Sequence, residues 1–364
     1  MSKIVIDARE SGTSTGRYID KLIEYLHKLQ PAHKIVVLTG EHRVDFYKQV
    51  TPSFEVVATP FKEFSYGEQF GFKKQLEGLQ PDLVHFGMAQ QPVRYHGRSV
   101  TTIHDLTTMR FTNPDKNLLV FKFKQQVYKY VVKQAARKSV AILTPSQFVK
   151  DDVVRFTGVN PDRITVTYEA ADAITEAAEP IESLQGKQFL MYVGRPTPHK
   201  NLERLIDAFQ LLKGDNPGLH LVLSGRQDMN YRRIEAKVSK RHLKDIIFTG
   251  YTSEGQLRWL YESCAAYVFP SLSEGFGLPG LEAMVHGAPV VSSNATCLPE
   301  VYGDAAHYFD PLDVQAMAGA INKVLSDKNL RNELVQTGKL QATQYSWRRM
   351  AEQTLAAYEQ ALRV

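Results

Sequence analysis

Residues 266–291 read AYVFPSLSEGFGLPGLEAMVHGAPVV. An apolar run ending at Phe269 is followed by a glycine-bearing loop, a helix and a second apolar run at PVVSS. Pro279 suits the first turn of that helix, where its missing N–H costs nothing. Gly275, Gly277 and Gly280 fit G-x-G-x-x-G, and Glu300 lies at the offset of a ribose-binding acid in a dinucleotide fold. Two features argue against a dinucleotide. Ser271, Leu272, Ser273 and Glu274 intervene after Pro270, whereas a dinucleotide loop puts its first glycine at the strand end. Glu274 would also face a pyrophosphate of like charge. Glu274 and Glu282 instead flank the loop as acceptors, and the glycines let backbone N–H groups approach a ligand closely. That chemistry suits a polyhydroxylated ligand carrying phosphate. Spacing alone leaves this reading level with a tight loop whose glutamates are solvated or cap the helix.

Outward from this stretch, short β-rich runs alternate with helical patterns along nearly the whole chain. In the first half KIVIDA, KIVVLT, FEVVAT, DLVHF, SVTTIHD, AILTPS and ITVTYEA read as strands. Between the first two, Ile19, Leu22, Ile23, Leu26 and Leu29 fall at helical spacing. Residues 172–187, DAITEAAEPIESLQGK, are acidic and small, carry Pro180 and Gly186, and read as a linker. The alternation then restarts with QFLMYVG, HLVLSG, IIFTG, AAYVFP, PVVSS and AHYFD. Apolar strands separated by helices mean a parallel sheet covered on both faces. The repeated alternation predicts an α/β chain of two Rossmann-like parallel-sheet domains facing across a cleft: 1–171, the linker 172–187, and 188–345. Residues 346–364 form a final helix, with Met350, Leu355, Tyr358 and Leu362 in approximate register, expected to cross back to the first domain.

Bulk properties narrow the function. The 364 residues carry a net charge of +5, and no apolar run is long enough to span a bilayer. The N-terminal stretch does not read as a signal peptide. Two cysteines, Cys264 and Cys297, are too few for a disulfide framework or a four-cysteine zinc site, which points to the cytosol. The mild positive charge suits a phosphorylated ligand or an anionic membrane, and no motif favours nucleic acid. There is no G-x4-G-K-[ST], no H-E-x-x-H and no D-x-D. GTSTG at residues 12–16 fits G-x-S-x-G, but hydrolase elbows sit in the middle of their sheet and this loop follows the first strand. Ser14 is therefore read as polar loop lining and not as a nucleophile.

The stretch EGFGLPGLE resembles the E-x7-E motif of the GT-B retaining glycosyltransferases, in particular family 4 (glycosyl transferases group 1), with its bacterial mannosyl- and glucosyltransferases. AMVHGAPVVSSNATCLPEVYGDAAHYFDPLD and YVGRPTPHKNLERLIDAF are similar to the same family. The resemblance is densest from about residue 188 to 345. It implies transfer of a hexose, mannose or glucose, from a nucleoside diphosphate sugar to a saccharide or lipid-linked acceptor, with retention. The setting implied is polysaccharide or glycolipid assembly in the cytoplasm, at the inner face of the membrane for a lipid-linked acceptor. The alternatives are a sugar-nucleotide-binding regulatory protein, or a hydrolase, epimerase or phosphorylase on the same fold.

Residue roles follow from matched positions. Arg195 and Lys200 stand at a strand's carboxyl end beside a helix N-terminus, an anion site by charge and dipole. The resemblance assigns them to the donor diphosphate. Matched to the second motif glutamate, Glu282 is expected on the ribose; Glu274, the first, beside the donor sugar. The amides of Phe276, Gly277 and Leu278, with Gly275, are expected on sugar hydroxyls or phosphate, and Gly250 and Tyr251 against the nucleobase. Gly16, after the first strand, is the close-approach position toward the donor phosphate. His104, in TTIHDL, is placed by the family near the reacting carbon; on residues alone it can equally satisfy a local turn. Because cations do the electrostatic work, no metal and no cofactor beyond the sugar nucleotide are expected.

Two features of the first half stay open. PFKEFSYGEQFGFKKQL is aromatic and basic and can offer ring faces to an acceptor. DKNLLVFKFKQQVYKYVVKQAARKS carries Lys122, Lys124, Lys129, Lys133, Arg137 and Lys138 among apolar residues. Leu119, Phe123, Val127, Tyr130 and Val131 are expected to be its buried stripe. The solvated outer face of a core helix is favoured there over peripheral contact with an anionic membrane.

Overall fold

Every apolar run read as a strand is one. The computed structural model describes residues 1–13, 15–111 and 118–363, the side chains of 118 and 119 excepted; Ser14 lies outside the described residues. The chain divides into two units. One is built from Met1–Met109, Leu119–Glu169 and Ser346 onward; the other from Ala170–Tyr345 with a short segment beginning at Arg110.

The first unit contains β1 (Lys3–Asp7), α1 (Gly16–Leu29), β2 (Lys34–Gly40), α2 (Val44–Val50), β3 (Glu55–Thr59), α3 (Lys73–Gly78) and β4 (Leu83–Phe86). It continues through β5 (Ser99–Thr102), α4 (Thr107–Arg110), α5 (Leu118–Lys138), β6 (Ala141–Thr144), α6 (Gln147–Thr157) and β7 (Ile164–Val166). The strands make one parallel sheet in the order β3-β2-β1-β4-β5-β6-β7, with Ile6 of β1 beside both Val37 of β2 and His85 of β4. Both faces are covered, so β1, β2, β4, β5 and β6 bury nearly every residue, while the edge strands β3 and β7 are mostly half-buried.

The second unit contains β8 (Gln188–Val193), α7 (Leu202–Leu212), β9 (Leu219–Ser224), α8 (Met229–Lys240), β10 (Ile246–Gly250), α9 (Glu254–Ser263) and β11 (Ala266–Phe269). Then come α10 (Leu278–Val285), β12 (Val290–Ser293), α11 (Leu298–Tyr302), β13 (Ala306–Phe309), α12 (Val314–Ser326) and α13 (Lys328–Ala342). Its sheet runs β10-β9-β8-β11-β12-β13, all parallel. Leu205 and Phe209 of α7 and Ile321 of α12 are fully buried, each contributing about 1.5–3 kcal/mol. Part of the segment 172–187 is held along α9: Arg258 donates to the Ile174 and Glu176 carbonyls, and the Glu179 amide to that of Gly255.

The last helix, α14 (Trp347–Arg363), belongs to the first unit and packs on α1. Its buried face differs from the expected stripe. Met350 and Tyr358 are buried, but Leu355 and Leu362 are half-buried, and the face is completed by Ala351, Thr354, Ala357 and Ala361. Small residues let the two helix backbones approach closely. Tyr358 reaches the sheet itself, its hydroxyl 2.6 Å from His85 Nδ1.

The stripe expected on α5 is also corrected. Phe123, Val127 and Tyr130 are exposed, and Val131 alone of the described members is buried; Leu119 lies outside the described side chains. The buried face runs instead through Phe121, Val131, Val132, Ala135 and Ala136. In this helix apolar residues occupy two faces, so an apolar periodicity does not say which face turns inward.

Candidate functional site

In each sheet the strand order reverses at one place: between β1 and β4 in the first unit, and between β8 and β11 in the second. Ligands of open α/β sheets bind beyond the strand ends at such a switch point. The loops after β8 and β11 carry Arg195, Lys200, Glu274 and the glycines.

Those two loops are fastened to each other over three consecutive residues. The His199 carbonyl accepts from the Leu272 amide at 2.7 Å, Lys200 Nζ lies 2.7 Å from Glu274 Oε1, and Asn201 Nδ2 donates to the Pro270 and Pro311 carbonyls. Lys200 and Glu274 are 18% and 12% exposed, so the ion pair is shielded yet open on one side. The loop after β12 supports Glu274 from behind: its amide donates to Thr296 Oγ1 and its carbonyl accepts from Cys297 Sγ. Asn201 (φ 62°) and Thr296 (φ 56°) both hold left-handed backbone. That conformation is costly for a β-branched threonine and characteristic of sites whose geometry is imposed.

The glycine loop is built inward. Gly275, Phe276 and Gly277 are buried, with the Phe276 ring edge-on to Tyr345. Gly277 caps α10 at φ 94°, and its carbonyl accepts from the Tyr302 hydroxyl at 2.5 Å. A Cβ at Gly277 would meet Tyr302 Oη at 2.5 Å, and one at Gly280 would meet it at 2.2 Å. These glycines are needed by the fold, whatever ligand the loop takes. Leu278 opens α10, and Glu282 lies one turn further on, its Oε2 accepting from the Tyr261 hydroxyl of α9.

Other expected residues stand apart from this pair. Arg195 is 71% exposed and its Nε donates to Asp228 Oδ2 at 2.6 Å. Asp228 also caps α8, and although burial opposes its charge, the Arg195 bond and the cap amides hold its carboxyl below the usual range. Gly250 and Tyr251 sit at the end of β10, the edge strand two places from β8, roughly 10 Å across the sheet. Gly250 has φ 70° with open space where a Cβ would be, and Tyr251 is 79% exposed.

In the first unit His104 follows β5. Its Nε2 lies 3.0 Å from the Gly87 carbonyl, and its Nδ1 lies 3.4 Å from the buried Glu169 carboxylate. Burial opposes protonation of His104, but Glu169, the Gly87 carbonyl and Asp105 outweigh it and raise its pKa above 6.5. Gly16 opens α1 with its α-carbon against the chain itself: a Cβ there would lie 1.8 Å from the Glu10 carbonyl oxygen. At the same switch point lies a cluster that the sequence reading did not single out. Arg9, buried, forks onto Asp7 and reaches Glu68 at 3.0 Å. Burial, set only partly against Arg9, pushes the Glu68 carboxyl up, and burial with Glu63 pushes Glu10 up. The signal was present: Asp7 and Arg9 follow KIVI, charges at the carboxyl end of an apolar strand. Among the described residues no group of three or more His, Cys, Asp or Glu is placed to hold a metal ion.

Residues 173–341 match the family described as Glycosyl transferases group 1, and residues 15–173 match Glycosyltransferase Family 4. The O-antigen chain mannosyltransferase B of Escherichia coli is 30% identical over 95% of this chain and 96% of its own length. The serotype-specific mannosyltransferase WbdA of Escherichia coli is 34% identical over 61% of this chain, which spans 29% of that longer protein. Among solved structures, Anabaena HepE in complex with UDP and glucose superposes with a TM-score of 0.75 at 17% identity, over 99% of this chain and 100% of that one.

Proposed function

The chain belongs to the GT-B glycosyltransferases, joining a family 4 N-terminal half to a group 1 C-terminal half, and from that membership we propose that it transfers mannose from GDP-mannose to a saccharide or lipid-linked acceptor, with retention and without a metal. The observation that carries the reading is the Lys200–Glu274 pair at the β8–β11 switch point, flanked by the left-handed Asn201 and the strained Thr296. The similarity to an O-antigen mannosyltransferase favours mannose. A fold neighbour that holds UDP and glucose favours a nucleotide-sugar donor.

Glycosyl transfer must stabilise negative charge on the departing diphosphate and tolerate positive character at the anomeric carbon. Lys200 answers the first need as a fixed cation in a partly water-excluded loop, usually the largest catalytic effect available. A diphosphate arriving at Lys200 meets the ammonium that already neutralises Glu274, so the cation stands between the two anions while the other Glu274 oxygen accepts a sugar hydroxyl. Arg195 swings from Asp228 to add a bidentate contact. Glu282 accepts from the ribose, and the open end of β10 at Gly250 and Tyr251 takes the base. His104, charged more readily than a free imidazole, orients the donor sugar, and the leaving phosphate oxygen takes the acceptor's proton on the face it vacates.

The test is a donor panel, GDP-mannose and UDP-glucose first, offered with saccharide and lipid-linked acceptors, with and without EDTA. The product is read by mass spectrometry and its anomeric configuration by NMR. The reading expects mannosylated product of retained configuration, undiminished by EDTA. Transfer only from another donor, inversion, or loss restored by Mn²⁺ or Mg²⁺ would each remove the corresponding part.

A further inference from the structure

A chain of hydrogen bonds runs through the core of the first unit, from α14 to the side of His104. The Tyr358 hydroxyl of α14 lies 2.6 Å from Nδ1 of His85, on β4. His85 Nε2 lies 2.8 Å from Thr102 Oγ1, at the end of β5, and Thr102 Oγ1 lies 3.0 Å from the Tyr18 hydroxyl of α1. The Tyr18 ring then stands edge-on to the His104 imidazole, with ring centroids 4.8 Å apart and planes at 79°. Tyr358, His85, Thr102 and Tyr18 are all buried, the first two completely.

Burial keeps the His85 ring neutral, so it carries a single N–H. One ring nitrogen therefore donates and the other accepts. With Thr102 accepting one of its two bonds and donating the other, the three bonds point one way and polarise one another. A change at Tyr358 then reaches the Tyr18 hydroxyl. Buried polar groups are a costly way to fill space that apolar side chains of the same shape can fill as well. What this arrangement adds is a pin on the far end of the Tyr18 ring, whose edge meets His104 beside the Gly87 carbonyl and Glu169.

We propose that Tyr18 is a positioning residue for His104, and that Tyr358 acts on it through His85 and Thr102, so that the seat of α14 sets where the His104 ring stands. The inference rests on the reading of His104 as the residue that orients the donor sugar, and adds to it the groups that hold the ring in place. The last helix of the chain thereby becomes part of the site and not only of the core, across the 273 residues that separate His85 from Tyr358.

The test is Tyr358→Phe, Tyr18→Phe and the double variant in the full chain, each removing a hydroxyl and keeping the ring. The His104 ring resonances, assigned by their loss in His104→Asn, are read by NMR without donor. Release of GDP from GDP-mannose with saccharide acceptors, and thermal melting, are read beside them. Both single variants should move the His104 resonances and lower kcat by roughly ten- to a hundredfold, the order that slight misplacement of a reacting group costs. The KM for GDP-mannose should stay within about twofold of the parent, since binding contacts are untouched. The double variant should lose no more than Tyr18→Phe alone, because both hydroxyls act through one chain. His104 resonances at the parent position in both single variants overturn the proposal. So do losses that add in the double variant, or a fall in kcat that follows a lowered melt while the ring signal stays put. The NMR measurement needs no donor, so a parent that releases no GDP counts against the proposed transfer while the resonances still decide this inference.

Discussion

Lys200 and His104 show how single residues are set by their neighbours. If Lys200 is the cation at the diphosphate, Lys200→Ala should lower turnover by roughly 10²–10³, the loss that follows removal of one transition-state charge stabiliser; steady-state rates within a few-fold of the parent would free Lys200 of that role. His104 is a question of pH. Its folded pKa is raised, chiefly by Glu169 acting against burial, so the fold favours the charged ring. The stability it contributes is fully present below about 6.5 and is lost as pH rises through the folded value. His85, which burial pushes down to about 3 with His104 adding to the effect, acts in the opposite sense, taking stability away as pH falls below about 6.5. Histidine ring NMR separates them: His104 should titrate above 6.5, and in Glu169→Gln its midpoint should fall, whereas an unmoved midpoint would show that Glu169 does not hold the charge. The positions of Lys200 and Glu274 were legible because charges at strand ends beside glycines are visible in sequence. Their direct pairing was not, because it depends on β8 and β11 being neighbours across 74 residues of chain. Thr296 and Asn201 were silent for the same reason, since backbone strain has no residue signature.

Among the elements, the β11–α10 unit carries the most fold-specific packing. Its glycines resemble a phosphate loop in sequence, yet Gly277 and Gly280 make room for the fully buried Tyr302. Gly280→Ala should destabilise the second unit by about 1–3 kcal/mol, the cost of overpacking a filled core. Its thermal midpoint should drop by several degrees, and an unchanged melt would mean that Tyr302 moves aside without cost. Strand positions were readable from apolar runs because parallel strands covered on both faces leave little polar alternation. Helix orientation was less readable. On α5 aromatic residues lie both inward and outward, and on α14 alanines do the packing where leucines were expected. A stripe of hydrophobic letters reports an amphipathic helix but does not distinguish a core face from a face meant for another surface.

For the whole molecule, the division into two units is uneven in sequence. The first unit takes back residues from 346 onward, and α14 supplies it with Trp347, Met350, Ala351 and Tyr358, all buried. A chain ending at Tyr345 should leave the first unit open to proteolysis while Ala170–Tyr345 still resists, read by limited digestion and mass spectrometry; equal resistance of both units would mean that α14 is dispensable. The repeated βα alternation revealed two sheets because each repeat needs its own strand run. The most direct measurement is calorimetric titration of GDP-mannose into the parent chain and into Lys200→Ala and Glu274→Gln. Binding to the parent that weakens at least tenfold in both variants is predicted, whereas affinity unchanged in both, or no uptake of any sugar nucleotide by the parent, would contradict a donor site at the β8–β11 switch point.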